Sequence, residues 1–172
     1  MPRRHFTVSG FIVEGGATLL HWHPKLSLWL PTGGHIDPDE DPVQAVVREA
    51  YEETGIRCEV LPHEPPLPFH NVAQLPSPLK IIVAHVPANG GEPAHQHIDL
   101  SYALRPIARA EREAPARDHG FRRVTSQELR RGDALMTPSG ERVAPPDDVR
   151  VIGLRAIALA STPRRTGAAG AD

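Results

Sequence analysis

Residues 34–56 read GHIDPDEDPVQAVVREAYEETGI, and this stretch decides the fold. Its second half predicts a helix over residues 42–54, because both ends carry the usual boundary signals. Asp41 is a natural N-cap, and Gln44 completes a capping-box pair with it. Gly55 follows the last helical residue, where a left-handed C-cap belongs. The segment therefore indicates a loop that leads into one well-delimited helix.

The predicted helix has two chemically different faces. Glu49, Glu52 and Glu53 follow i, i+3, i+4 spacing, so their carboxylates share a sector of about 100°. An apolar stripe centred roughly 120° away would anchor the helix to a core. That stripe consists of Val43, Val46, Val47, Ala50 and Thr54.

The clustered carboxylates favour a bound divalent cation. Like charges at these spacings repel by a few tenths of a kcal/mol per pair. Mg²⁺ would relieve that repulsion, since it prefers oxygen ligands and is often shared with substrate phosphates. Arg48 lies beside Glu52 on the helical wheel and could orient one carboxylate, while Gly33 and Gly34 let the backbone approach the helix closely. A solvated acidic face is the alternative interpretation.

The pattern G-x5-E-x7-R-E-A-x-E-E-x-G-I matches the Nudix box, so the chain resembles the Nudix hydrolases. A chance match in any one window is on the order of 10⁻⁸. Thr32 stands where the family usually has a proline, and Asp37 and Asp39 replace a frequent glutamate and a common glycine. The invariant positions are all filled, by Gly34, Glu40, Arg48, Glu49, Glu52, Glu53 and Gly55.

The resemblance implies an α/β fold, an α/β/α sandwich with a mixed β-sheet between helices. We expect a single domain over residues 1–160 and a flexible tail over 161–172. The implied activity is hydrolysis of the diphosphate bond in a nucleoside diphosphate linked to another group, by activated water with Mg²⁺ or Mn²⁺. A small nucleotide-like substrate and a homodimer are expected partners, and a nucleic-acid polymer is not.

The resemblance also assigns roles by position. Glu52 and Glu53 would be the principal metal ligands, with Glu49 as third ligand or general base. Glu40 would support the metal site, as a further ligand, or the helix. Arg48 would be an orienting partner of the catalytic group rather than a reactant.

Further contacts are expected from outside the helix. Many family members take another acidic residue from a loop after the central strands, and Glu92 is the candidate here, with Asp99 behind it. Substrate contacts are expected from Gly33, Gly34, His35 and Lys25.

The rest of the chain predicts mostly strands. Residues 28–41 are expected to form a loop, and residues 79–86 a buried central strand. The other predicted elements are a hairpin of 6–14 and 17–22, strands at 57–61, 98–104 and 121–125, a helical turn at 126–131 capped by Ser126, and a C-terminal helix from 145 to about 160.

Composition excludes several classes of protein. The 172 residues hold 19 Lys+Arg against 21 Asp+Glu, so no polybasic nucleic-acid surface dominates. Cys58 is the single cysteine, which excludes an intrachain disulfide and a thiolate zinc cluster. The N-terminus lacks the apolar stretch of a secretory signal, and no run approaches the roughly 18 apolar residues of a membrane span. We expect a soluble cytoplasmic protein.

The ten histidines include two pairs with i,i+2 spacing, His95 with His97 and His21 with His23. Such a pair on one strand face can bind zinc, but no third ligand is obvious in the sequence, and solvent-facing histidines are commoner.

Two other functions stay open. A binding or regulatory Nudix-like module would keep the fold without catalysis, usually with a broken box. An isomerase of isoprenoid diphosphates would need a catalytic cysteine, and Cys58 follows the helix in an expected strand.

Overall fold

The computed structural model describes residues 3–89, 91–107 and 120–162. In these residues eight strands form one mixed sheet, and a small hairpin and three helices complete the fold. The sheet strands are β1 (Arg4–Glu14), β2 (Ala17–His23), β3 (Leu28–Leu30), β4 (Thr32–His35), β5 (Cys58–Val60), β6 (Lys80–Val86), β7 (His95–Pro106) and β8 (Arg122–Thr125). The hairpin is β9 (Leu135–Met136) with β10 (Arg142–Val143), and the helices are α1 (Pro42–Thr54), α2 (Ser126–Arg131) and α3 (Asp147–Ser161).

The two longest strands, β1 and β7, form the centre of the sheet and pair in parallel. Every other pairing within the described residues is antiparallel. The first half of β1 pairs with β4 and its end with β2. Likewise β7 pairs with β6 along its first half and with β5 at its end. Because these strands pair, residues of β1, β4 and β7 that are distant in the sequence lie side by side near one end of the strands.

Alternation along the central strands produces two cores. Val8, Ile12 and Leu104 face α1, and they pack against Val46 and Ala50 of that helix. The opposite face packs against α2 and α3, in a second core that contains Phe11, Val13, Leu129, Ile152 and Ala156. The predicted α/β/α sandwich with a mixed sheet is confirmed.

The helix predicted over residues 42–54 is α1, and its end signals work as expected. The Asp41 side chain accepts hydrogen bonds from the Val43 and Gln44 backbone N–H groups, and Gln44 returns the bond to the Asp41 N–H. Gly55 adopts a left-handed conformation with φ 67°. The hairpin and the predicted strands before and after α1 are also present.

Three structural predictions are wrong. The predicted loop over residues 28–41 contains β3 and β4, because the Gly-rich segment pairs with β1. The expected central strand is β6, which among the described residues pairs only with β7 and leaves Ile81 56% and Val83 54% exposed. An apolar run alone does not show which strands flank it. The cap of α2 is Thr125 rather than Ser126.

The C-terminal helix extends to Ser161, and residues 163–172 of the expected flexible tail lie outside the described residues. The single-domain boundary stays a prediction. None of the described helices combines the length and apolar character that crossing a membrane requires.

Candidate active site

Helix α1 presents the three clustered glutamates toward β4. Glu49 and Glu53 are buried, with 7% and 5% of their surface exposed, whereas the Glu52 side chain is 36% exposed. The apolar stripe holds the helix against the sheet, and Val46 and Ala50 are fully buried within it. Two carboxylates are therefore withdrawn from solvent and one stays accessible at the same face.

The two glycines of β4 make this close approach sterically feasible. A Cβ on Gly34 would overlap the Glu49 carboxylate, and one on Gly33 would overlap the Val8 carbonyl oxygen. The Gly33 N–H donates a hydrogen bond of 3.3 Å to Glu53 Oε2. Both glycines are thus required by space at the helix–strand contact rather than by an unusual backbone angle.

Arg48 connects the carboxylates on α1 with the preceding loop. Its Nε donates to Glu40 Oε1 at 2.7 Å and its Nη2 to Glu40 Oε2 at 2.9 Å, so the pair is bidentate. Its Nη1 donates to Glu49 Oε1 at 2.7 Å and lies 3.6 Å from Glu52 Oε2. Nη2 also donates a hydrogen bond to the His35 carbonyl oxygen at 3.1 Å.

This network changes the protonation equilibria of its members. The hydrogen bonds from Arg48 hold the pKa of Glu40 below its ordinary value. The hydrogen bonds to Glu40, and to a lesser extent to Glu49, raise the pKa of the Arg48 guanidinium. Glu40 is therefore favoured in its charged form by Arg48, which engages both of its oxygens.

A cavity of about 400 Å³ lies on the opposite face of the sheet, between β1, β6, β7 and α3. Its walls are largely apolar, and its polar part is centred on Asp99, which is 8% exposed. Asp99 Oδ1 accepts hydrogen bonds from the Thr7 and Ser9 hydroxyls, each 3.0 Å, and Oδ2 accepts one from Ser101 at 2.9 Å. Burial raises the pKa of this carboxyl, against the opposing effect of the three hydroxyl donors.

Strand β4 lies between the cavity and the carboxylates. Pro31, immediately before it, lines the cavity, whereas Gly33 contacts Glu53 and the His35 carbonyl contacts Arg48. Thr32 stands where the family that the chain resembles usually has a proline. It is fully buried, and its hydroxyl donates to the Gly10 carbonyl oxygen at 2.8 Å. Strand β4 therefore has the cavity on one side and the carboxylates of α1 on the other.

The remaining predicted residues lie further from this centre. His35 is exposed at the end of β4, and Lys25 is exposed in the turn between β2 and β3, next to the cavity-lining Leu26. Glu92 is exposed in a turn, where its backbone bridges to Asn89. Its charge acts on His5 and His97, which places it beside a group of histidines.

The donor set on α1 fits a hard divalent cation. Three carboxylates share one face, two of them buried, and buried anions of like charge are costly without a cation or donors nearby. Arg48 compensates part of that charge. Oxygen ligands in this arrangement suit Mg²⁺ or Mn²⁺.

Sequence analysis missed the hydroxyl cradle of Asp99. A usable signal was present, because Asp99 and Ser101 have i,i+2 spacing in a strand and therefore face the same side. The contributions of Thr7 and Ser9 required the pairing of β1 with β7.

Comparison with known proteins agrees with this geometry. The family model described as NUDIX domain matches residues 3–135. A hydrolase of the NUDIX family from Clostridium perfringens has 26% identity and a TM-score of 0.69, over 92% of this chain and 99% of that one. Two other solved structures share the fold.

The first of these is a MutT NUDIX hydrolase from Burkholderia pseudomallei, with 19% identity and a TM-score of 0.53 over 90% of this chain and 98% of its own. The second is a NUDIX hydrolase from Nitrosomonas europaea, with 16% identity and a TM-score of 0.51 over 90% of each chain. The complete box on α1 and the family match over most of the chain lead to one conclusion: this protein belongs to the Nudix hydrolase family.

Proposed function

We propose that this protein hydrolyses the diphosphate bond of a nucleoside diphosphate linked to another group, in a reaction that depends on Mg²⁺ or Mn²⁺. The observation that carries the proposal is the face of α1, where Glu49 and Glu53 lie against the two glycines of β4 and Glu52 lies on the same side of the helix. The cavity on the other face of the sheet, beyond β4, is the proposed place for the nucleoside part of such a substrate.

Glu52 and Glu53 are the proposed principal metal ligands, and Glu49 is the third ligand or the general base. The bound cation would neutralise the diphosphate and make a coordinated water more acidic. Glu49 is suited to position that water and accept its proton, because a hydrogen bond of 2.7 Å from Arg48 Nη1 to Oε1 fixes the orientation of the carboxylate. Arg48 itself is the proposed positioning residue.

Glu40 is the proposed support for Arg48 rather than a further metal ligand, since Arg48 engages both of its oxygens. Gly33 and Gly34 remain proposed substrate contacts, through their backbone. His35 and Lys25 remain proposed substrate contacts at the rim. Glu92 remains a proposal for an additional acidic ligand.

The cavity is the proposed recognition site for the nucleoside. Apolar walls suit a base or another flat group, and Asp99 offers a carboxylate acceptor held by three hydroxyls. A substrate N–H or O–H that met Asp99 would gain a charge-assisted hydrogen bond in a low-dielectric site.

The direct test is to incubate the protein with a panel of nucleoside diphosphate derivatives and Mg²⁺ and to measure released phosphate, pyrophosphate and nucleotides. We expect hydrolysis of at least one derivative, lost with a chelator. Glu53→Gln should reduce kcat by about 10²-fold or more, while its melting temperature stays near that of the wild type. Glu141→Gln, an exposed carboxylate in the turn between β9 and β10, is the matched control.

Full activity of Glu53→Gln would overturn the assignment. Binding of a nucleotide with no hydrolysis of any panel member would favour the inactive module instead. An isomerase is disfavoured by Cys58, which is 2% exposed and whose pKa burial raises to about 12, so that it is not a reactive thiolate. A homodimer and a cytoplasmic location stay predictions, which sedimentation and cell fractionation would test.

A further inference from the structure

Four histidines lie together near one end of the sheet's strands, outside the carboxylate site. Strands β1 and β7 run parallel, and their register places His5 opposite His97. His95 begins β7, two residues before His97, and His35 ends β4. The side chains lie in mutual contact, with ring centroids of His5 and His95 5.1 Å apart and those of His35 and His97 5.1 Å apart.

Three of these rings are close enough to share one metal ion. One ring nitrogen from each of His5, His95 and His97 lies within 4.8 Å of the other two. The Nε2 atoms of His95 and His97 are 3.1 Å apart. Tetrahedral Zn²⁺ with Zn–N bonds of about 2.0–2.1 Å requires nitrogens about 3.3–3.4 Å apart. The distance between the His95 and His97 nitrogens is thus close to the one that a tetrahedral zinc ion requires.

The hydrogen bonds around the rings favour metal binding. The Nδ1 atom of His95 lies 3.0 Å from the Pro93 carbonyl oxygen, and a proton there leaves the Nε2 lone pair directed at the cluster. His5 Nδ1 lies 3.1 Å from His35 Nε2, and His5 Nε2 is buried with no hydrogen-bond partner among the described residues. Metal-bound histidines typically donate their second N–H to a carbonyl or another acceptor in this way.

Two of the rings, those of His5 and His97, have a lowered pKa, and the neutral imidazole that this favours is the form that binds metals. Burial and then the nearby His35, His95 and His5 lower the pKa of His97 to about 4. Burial, followed by the charges of Arg3 and the neighbouring histidines, also lowers the pKa of His5. The Glu92 carboxylate acts to raise the pKa of both rings. Its negative charge lies beside the cluster and would favour a bound cation.

We propose that His5, His95 and His97 bind Zn²⁺ or a similar transition-metal ion, with His35 orienting His5 and a fourth position left for water or an anionic oxygen. This site differs from the carboxylate site in its chemistry, because imidazole nitrogen prefers ions such as Zn²⁺ and carboxylate oxygen prefers Mg²⁺. His97 also lines the cavity. The open position would therefore be accessible to an oxygen of a molecule bound there.

The test uses the untagged full-length protein, stripped with a chelator and titrated with Zn²⁺ by calorimetry. We expect one Zn²⁺ per chain and a rise in melting temperature on binding, since a ligand that binds only the folded state stabilises it. His95→Ala and His97→Gln should each weaken Zn²⁺ binding at least about tenfold, and His35→Ala should weaken it less. Co²⁺ in place of Zn²⁺ should give the visible absorption of a tetrahedral nitrogen site.

Two controls separate this site from the rest of the molecule. His70→Ala removes an exposed histidine away from the cluster and should leave the affinity for Zn²⁺ unchanged. Glu53→Gln should also leave it unchanged, so failure of the proposed hydrolysis would not imitate failure of this site. Unaltered Zn²⁺ binding in both folded variants, His95→Ala and His97→Gln, would overturn the proposal, as would a wild-type protein that takes up no Zn²⁺.

Discussion

The two faces of the sheet carry polar groups that are assembled in different ways. On the α1 face, Glu49, Glu52 and Glu53 come from five consecutive residues of one helix, and Arg48 precedes them directly. On the cavity face, Asp99 meets Thr7 across 92 residues of chain, and only the pairing of β1 with β7 joins them. The comparison teaches that helix spacing specifies the first set locally, whereas strand register specifies the second.

The difference extends to how each face compensates its charge. On the α1 face, Arg48 pairs with Glu49 of the helix and with Glu40 before it, and its hydrogen bonds lower the pKa of Glu40. Asp99 has neutral hydroxyl donors instead, and its pKa is raised by burial. We therefore expect substitutions on the α1 face to reduce kcat, and those on the cavity face to raise KM.

Gly34→Ala should have the largest effect of the substitutions that leave the charged residues intact. The added methyl group overlaps the Glu49 carboxylate, which must move away. Displacement of a catalytic group by about 1 Å can cost about 10²-fold in rate, and we expect a loss of that order in kcat. Steady-state kinetics on the substrate identified by the panel would measure it.

The matched control is Gly140→Ala in the turn between β9 and β10. Its Cβ would meet no atom, but φ is 89°, so this variant should lose some stability and keep its activity. Full activity of a folded Gly34→Ala protein would show that the position of Glu49 is not critical.

Arg48→Lys comes next, with an expected loss of about 10–100-fold in kcat. Lysine keeps the charge but cannot contact Glu40 in a bidentate manner while also reaching Glu49. Arg105→Lys is the matched control, because Arg105 forms a similar pair with Glu59 across β7 and β5. Equal losses in the two variants would indicate a general effect on stability, which thermal melts would reveal.

Asp99→Asn should act on KM rather than kcat. The loss of one charge-assisted hydrogen bond to the substrate is worth about 1.4 kcal/mol, or about tenfold in KM. Separate determination of kcat and KM would check this, with Ser101→Ala as the control that retains the carboxylate. A fall in kcat at unchanged KM would instead assign Asp99 to the reacting centre, as the additional acidic residue that the family resemblance implies.

The sequence predicts α1 well because the signals for this helix are local. The cap at Asp41, the C-cap at Gly55 and the carboxylate spacing all lie within residues 41–55, and α1 has the predicted bounds. The cavity and the histidine cluster require the register of β1 against β7, which no short pattern encodes. The i,i+2 spacing of His95 and His97 indicates that the two rings share one strand face, but His5 joins them only through that register.

The same limit explains the error at β6. Its apolar residues predicted a central strand, but apolar content does not distinguish a central strand from an edge strand. In the structure β7 takes the central position, because it alone pairs with β1, β5 and β6.

Glu128→Gln is the substitution with the smallest expected effect, because α2 carries neither of the two sets of polar groups. Glu128 Oε2 accepts hydrogen bonds from the Thr125 N–H at 2.8 Å and from its hydroxyl at 2.7 Å, and these bonds lower the pKa of Glu128. A folded-state pKa below the unfolded value means that the stabilising contribution is present above the unfolded pKa and is lost as pH falls through the folded one.

We therefore expect Glu128→Gln to lower the free energy of unfolding by up to about 1 kcal/mol at pH 7, with kcat and KM unchanged. Urea denaturation at several pH values would measure it, and the difference from the wild type should shrink as pH falls below the ordinary glutamate pKa. A difference that persisted at acid pH would mean that the neutral hydrogen bonds, rather than the carboxylate charge, stabilise the start of α2. A change in kcat would be the more serious result, since it would couple α2 to a site that the structure places on the opposite face of the sheet.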